Sequence, residues 1–216
     1  MLIKKNSLIS GKINSYLLEN HPALKWHNLE PSLYSFFSIE NYLKTQNWDF
    51  KYVDVQQGTG SSANFISMDL NQPIPSDLYC SFDLLIDSGT AEHCFNVGKV
   101  FENYFHLLKP GGILLQYMPF HSPNHGFWSI NPTAIYDLAS CNPIKLLTCE
   151  LQSFDNYRHY FDANPNILPF SKTGKFSINI DSLKGICLMF FAYKKVSKSI
   201  FRFPIQAKYR SQMNGQ

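Results

Sequence analysis

The segment Phe82-Asp83-Leu84-Leu85-Ile86-Asp87-Ser88-Gly89-Thr90-Ala91-Glu92-His93-Cys94-Phe95 concentrates residues able to do chemistry. An apolar run ends in an acid, a Ser-Gly turn follows, and Glu92-His93 opens the next element. Ligands of open α/β sheets bind outside the carboxyl ends of the strands, which puts Asp87, Glu92 and His93 at a crevice rim. The plainer reading makes Asp87 and Thr90 helix-capping residues and His93 a packed residue of a first turn. A second group, His121-Ser122-Pro123-Asn124-His125, has a spacing that suggests metal ligation. Pro123 and the loop context deny it the helical geometry that puts two imidazoles on one face, and no third ligand is evident, so no metal is expected. His125 is better suited to act as a general base, opposite His93, because an unperturbed imidazole titrates near neutral pH. Alternatively it pins its loop by a hydrogen bond to backbone. Tyr157, Arg158, His159 and Tyr160, with Phe154 and Phe161, form a third group: substrate contacts from a lid, with Arg158 gripping a carboxylate or phosphate, or an aromatic patch that packs on the sheet.

These residues need a scaffold, and the middle of the chain alternates short apolar runs with helical or loop segments, the pattern of an open parallel sheet. Strands are predicted at Lys51–Val55, Asn64–Met68, Phe82–Ile86, Ile113–Met118, Lys145–Glu150 and Ile186–Tyr193. Several are apolar throughout, as strands covered on both faces should be. Phe95–Leu108 carries apolar residues at helical spacing and is ended by Lys109-Pro110-Gly111-Gly112. A second helix is predicted over Pro132–Ala139, with Asn131 as its cap, and a third around Ile39–Thr45. Residues 1–31 read as a helical or irregular arm. Residues 155–182 read as a long lid-like insertion before the last strand. The basic, aromatic tail Phe201–Arg210 is expected to pack back on the domain or against a second copy.

Composition narrows the function classes. The chain has 216 residues, 44% of them hydrophobic and 16% charged, enough apolar material for one full core, so a disordered chain is excluded. The run Ile186–Tyr193 is too short to cross a bilayer, and no signal peptide opens the chain. A net charge of +3 does not call for nucleic acid as a partner. The 5 cysteines are an odd number, scattered and without a CxxC pair, which predicts reduced thiols and a cytoplasmic location.

The order Phe82-Asp83…Asp87…Glu92-His93, a helix, Leu108-Lys109-Pro110-Gly111-Gly112, then a strand resembles the second half of class I S-adenosylmethionine-dependent methyltransferases. The continuation Asn124-His125-Gly126-Phe127…Pro132 resembles a bacterial sub-group of such proteins, some of them associated with surface-polysaccharide or small-molecule pathways. The resemblance spans roughly Asp54 to Ala139. It implies a Rossmann-like, mostly parallel α/β sheet at residues 32–200, between the 1–31 arm and the 201–216 tail. It also implies S-adenosylmethionine as cofactor and methyl transfer to a small-molecule or sugar acceptor. Carried over by position, Asp54 would accept both ribose hydroxyls, Asp69 would read the adenine amine, and Leu70 would cover the ring. Asp87 and Gly89 would lie where backbone approaches the methionine part. His125 or His93 would serve as catalytic base. Solvated strand ends or turn caps are the plainer readings of Asp54 and Asp69.

One departure separates the chain from that pattern. The family's glycine-rich loop precedes the ribose acid, where backbone must come close to the ligand. Here that stretch is Ser32-Leu33-Tyr34-Ser35-Phe36-Phe37-Ser38-Ile39-Glu40, with no glycine, and Ser35 opens the turn that would meet the cofactor. Gly58 and Gly60 come after the ribose acid and read as a turn between two strands. The glycine-free turn favours an alternative: a catalytically inactive methyltransferase-fold protein serving as a binding or regulatory subunit. A nicotinamide-dependent dehydrogenase needs those glycines most and is set aside.

Overall fold

A computed structural model of the chain describes residues 2–5, 48–55, 64–122, 124–154, 166–169 and 186–209. The predicted helix at Ile39–Thr45, Ser35, Gly58, Gly60 and the Tyr157–Phe161 cluster lie outside the described residues.

Eight strands form one sheet: β1 (Leu2–Lys5), β2 (Trp48–Asp54), β3 (Phe65–Ser67), β4 (Phe82–Ser88), β5 (Leu108–His121), β6 (Ile144–Phe154), β7 (Asn166–Pro169) and β8 (Ile186–Lys195). Their order is β3-β2-β1-β4-β5-β8-β6-β7. β2–β3 and β4–β5 pair in parallel, whereas β1 is antiparallel to both β2 and β4, and β8 is antiparallel to both β5 and β6. β7 adds an antiparallel edge beside β6. The sheet is therefore mixed, which corrects the expectation of a mostly parallel one. The reason lies in two inserted strands: β2 to β6 all run one way, and β1 and β8 run against them from between.

Within the expected 1–31 arm, Leu2–Lys5 is a strand paired on both sides, and residues 6–31 lie outside the described residues. Part of the expected lid, Asn166–Pro169, is likewise a strand. The six strands read from the sequence are all present, and β5 is longer than expected because Leu108–Gly112 already pairs near Phe82.

Two helices pack on one face. α1 (Val97–Leu107) follows β4, and α2 (Pro132–Cys141) follows β5. Asn96 caps α1 by accepting the Lys99 amide, and Asn131 caps α2 by accepting the Thr133 amide at 2.9 Å, with Pro132 in the first turn. Val100, Tyr104 and Leu107 of α1 and Ile135 of α2 pack with Phe82, Leu85, Leu114, Met118, Leu151, Met189 and Phe191 in the main core. The alternate residues Leu84, Ile113, Leu115, Phe190 and Ala192 face the other side of the sheet and cluster with Phe50.

The tail packs back on the domain. Phe201 is buried with Phe105 and Leu138, and Asn142 holds Arg202 through both backbone groups, at 2.9 Å each. Lys195, at the end of β8, is buried, and its Nζ donates to the Phe105 and Leu108 carbonyls at the carboxyl end of α1. Opposite charge at that end of a helix is favourable, although burial lowers the lysine's pKa from its usual value. All 5 cysteines are free thiols, Cys149 and Cys187 buried and the others partly so. Among the described residues, no helix is long and apolar enough to cross a membrane.

Candidate functional site

The shared direction of β2 to β5 brings their carboxyl ends to one edge of the sheet. Leu2 of β1 pairs with Lys51 and with Leu85. Tyr52–Asp54 of β2 and Ile86–Ser88 of β4 therefore continue past the last described β1 partner, by about 10 Å at the usual rise per residue. The chain's candidate residues stand around this edge.

Asp87 organises the turn after β4. Its Oδ1 accepts the amides of Gly89 (3.1 Å) and Thr90 (2.7 Å), and its Oδ2 accepts the Ala91 amide (3.3 Å). Oδ2 also accepts the Tyr104 hydroxyl (3.0 Å) and Gln116 Nε2 (2.8 Å). The side chain is buried, and this ring of donors satisfies it. Asp87 thus closes the turn ahead of the next helical segment, whereas Thr90, at that segment's N-cap, makes no side-chain capping bond. Beside that carboxylate, and fully buried, the Tyr104 phenol is held well above its ordinary pKa. Gly89 takes a left-handed φ of 104°, and a Cβ there would come within 2.9 Å of Glu92 Oε1.

The turn ends in a short 3-10 segment, Ala91–His93. Within it Glu92 points inward and is only 1% exposed, whereas His93 is at the surface. The loop after β5 closes onto this segment. The Phe127 amide donates to the Glu92 carbonyl at 2.7 Å, and Trp128 Nε1 donates to the Cys94 and Phe95 carbonyls at 3.1 Å. Gly126 is required at the contact: its φ is 67°, and a Cβ would lie 2.8 Å from Glu92 Cγ. His125 is thereby set over Glu92, with Nε2 3.4 Å from Oε1. His93 Nε2 is 3.9 Å from the same oxygen, and the two imidazoles meet edge to face at 5.0 Å. Burial, reinforced by Asp87, raises the Glu92 carboxyl above its usual pKa against the opposing pull of its own backbone and the two histidines. Its second oxygen, Oε2, is buried with no hydrogen-bond partner among the described residues.

Asp54 and Asp69 are exposed at the neighbouring strand ends. Asp54 Oδ1 accepts the Val55 amide at 2.7 Å. Asp69 Oδ1 accepts the amide and side-chain nitrogen of Asn71, and Asn71 in turn accepts the Asn96 amide, tying the β3 end to the α1 cap. Leu70 differs from its expected place over a ligand ring: it is buried in the main core, and its carbonyl accepts from Asn103. The four acids converge electrostatically. Cys94 is pushed up to about 11 by burial and then by Asp87, Asp69, Glu92 and Asp54.

The structure thus brings His93 and His125 together around Glu92, beside Asp87, with Asp54 and Asp69 at the neighbouring strand ends. Glu92, His93 and His125 each offer a ligand atom, all within 4.8 Å of one another. Local spacing does not reveal this set, because Glu92 and His93 come from the β4 turn and His125 from the loop after β5, and His121 is not a member of it. Exposed Phe95 and Phe127 stack edge to face at 5.8 Å beside the two histidines.

No family model matches the chain, and no curated protein does. Among solved structures, the PH0226 protein from Pyrococcus horikoshii OT3 aligns with 74% of this chain and 68% of its own. The identity is 14% and the TM-score 0.28, a likeness that carries no argument about fold or function.

Proposed function

We propose that the chain is an S-adenosylmethionine-dependent methyltransferase of the class I type, acting on an oxygen or nitrogen of a small-molecule or sugar acceptor. The observation that carries this reading is the convergence of Asp54, Asp69, Asp87 and Glu92 on one carboxyl edge, next to two imidazoles. Acidic side chains suit a sulfonium cation, and exposed carboxylates at two adjacent strand ends suit ribose hydroxyls and an adenine amine. The parallel pairs β2–β3 and β4–β5, whose carboxyl ends share one edge of the sheet, support it as well. In this reading Asp54 holds the ribose, Asp69 the adenine, and the Gly89 backbone borders the methionine part. Bound there, S-adenosylmethionine would supply the methyl group for in-line transfer to the acceptor, and His125 or His93 would take up the acceptor's proton.

A second reading, a binding or regulatory subunit on the same scaffold, is favoured by one feature of the site. Asp87 is consumed by internal donors, so the β4 turn is built to be stable whether or not a ligand is bound. A thermal-shift panel separates the two. S-adenosylmethionine and S-adenosylhomocysteine should raise the melting temperature, whereas NAD and ATP at the same concentration should not. A panel with no response to either sulfur nucleoside overturns the methyl-transfer reading and leaves the binding module.

A further inference from the structure

We infer that Glu92, His93 and His125 form a binding site for a divalent transition-metal ion of the zinc class. Three ligand atoms of the right types, one carboxylate oxygen and two imidazole nitrogens, lie within 4.8 Å of one another. Around an ion with bonds of about 2.0–2.2 Å, tetrahedral ligands sit about 3.3 Å apart. The Glu92–His125 separation of 3.4 Å already has that value, and the 3.9 Å to His93 closes to it by a small rotation of a surface ring. The buried, unpartnered Oε2 of Glu92 is the second observation. A carboxylate oxygen without a donor is costly in a protein interior, and a cation removes that cost.

The surroundings fit the assignment. Gly89 and Gly126 supply the backbone clearance around the Glu92 side chain, and the Phe127–Glu92 backbone bond fixes the His125 loop to the β4 turn. Asp87 adds negative charge behind the site. A nitrogen-rich set selects zinc, cobalt or nickel over magnesium or calcium, and three protein ligands leave a coordination position open. This inference shares the locus of the methyl-transfer reading but not its cofactor. With an ion bound, the imidazoles are ligands rather than bases, so the two readings make exclusive use of His93 and His125.

The test is a titration of chelator-treated full-length chain with cobalt(II), followed by calorimetry and by visible d–d absorption. The expected result is one saturable site per chain, competed by zinc and not by magnesium. His93→Ala and His125→Ala should each weaken it by more than about tenfold, since even loss of outer-shell support costs that much. His121→Ala should leave it unchanged. Because His93 is exposed, its variant should fold, and a thermal melt checks each protein, including Glu92→Gln. Absence of a saturable site in the wild-type chain, or binding that survives the double histidine substitution, overturns the inference. S-adenosylhomocysteine titrated into the chelator-treated protein and into His93→Ala reports separately on the cofactor site, so the two readings fail independently.

Discussion

Removing the Asp87 carboxylate should unfold the site from within. Five donors converge on it, and three of them, the Ala91 amide, the Tyr104 hydroxyl and Gln116 Nε2, make buried hydrogen bonds. A buried donor left without an acceptor costs about 1–3 kcal/mol, so after relaxation of the tyrosine rotor Asp87→Ala should destabilise the fold by about 4 kcal/mol. Asp87→Asn behaves differently. It keeps one oxygen for Gly89 and Thr90, and its new amine can donate to the Tyr104 oxygen. It can also donate to Gln116 Oε1, which is buried without a partner, once that amide is flipped. The Ala91 amide and the flipped Gln116 Nε2 are left without an acceptor and the Tyr104 hydroxyl turns from donor to acceptor, which predicts a cost of about 2–3 kcal/mol, below that of Asp87→Ala. Urea unfolding followed by far-ultraviolet circular dichroism at neutral pH measures both. An Asp87→Ala protein within about 1 kcal/mol of wild type, or an Asn variant as damaged as the Ala one, would refute the claim that this carboxylate organises the turn.

Other residues give independent checks. Gly126→Ala combines a left-handed backbone with a Cβ 2.8 Å from Glu92 Cγ and should cost at least about 2 kcal/mol, read as a drop in melting temperature. Gly111→Ala, whose φ is 87° but whose Cβ would meet nothing within 4 Å, should cost about 1 kcal/mol from backbone strain alone. Phe201→Ala removes a buried ring that lies 5.6 Å from Phe105 and should cost about 3 kcal/mol in urea, while a cost under about 1 would mean the tail is not docked. Burial pushes the Cys149 thiol from 9.0 up to about 12, so the folded state keeps a proton that the unfolded state loses above pH 9. Stability from this group is full below pH 9 and declines between pH 9 and 12 by up to about 1.4 kcal/mol per pH unit. Urea midpoints at pH 8 and 10.5 should therefore converge for Cys149→Ala relative to wild type, and parallel curves would contradict the sign.

The strands were legible because burial writes apolar runs into the chain, as in Leu84–Ile86, Ile113–Leu115 and Met189–Tyr193. α2 was legible through its cap, Asn131 with Pro132, and α1 through helical spacing such as Val100, Tyr104 and Leu107, while its Asn96 cap went unread. β1 was not. Leu2-Ile3-Lys4-Lys5 is short and half cationic, and its place is set by backbone pairing on both sides rather than by a pattern of its own. Strand direction was equally hidden, since an apolar run reads the same either way, and this is why β8 between β5 and β6 gave no warning. At the site, Asp87, His93 and His125 were readable as neighbours of one strand edge. Glu92 stood in the same stretch, but its burial was invisible. It depends on Gly89 and Gly126 giving clearance and on a loop folding back more than thirty residues later. His125 was read as lying opposite His93 rather than as a local pair with His121, and the two imidazoles do meet, because topology rather than spacing brings them together.

The measurement closest to the central claim is calorimetric titration of the full-length chain with S-adenosylhomocysteine, beside Asp54→Ala and Asp69→Ala. Both carboxylates are exposed at strand ends, so the variants should fold and isolate binding from stability. One site of micromolar affinity, weakened at least about tenfold in each variant, is the result the account predicts, since losing a charged hydrogen-bond partner costs about 1.5–3 kcal/mol. Absence of heat with the wild-type chain, or equal binding by all three proteins, would contradict it.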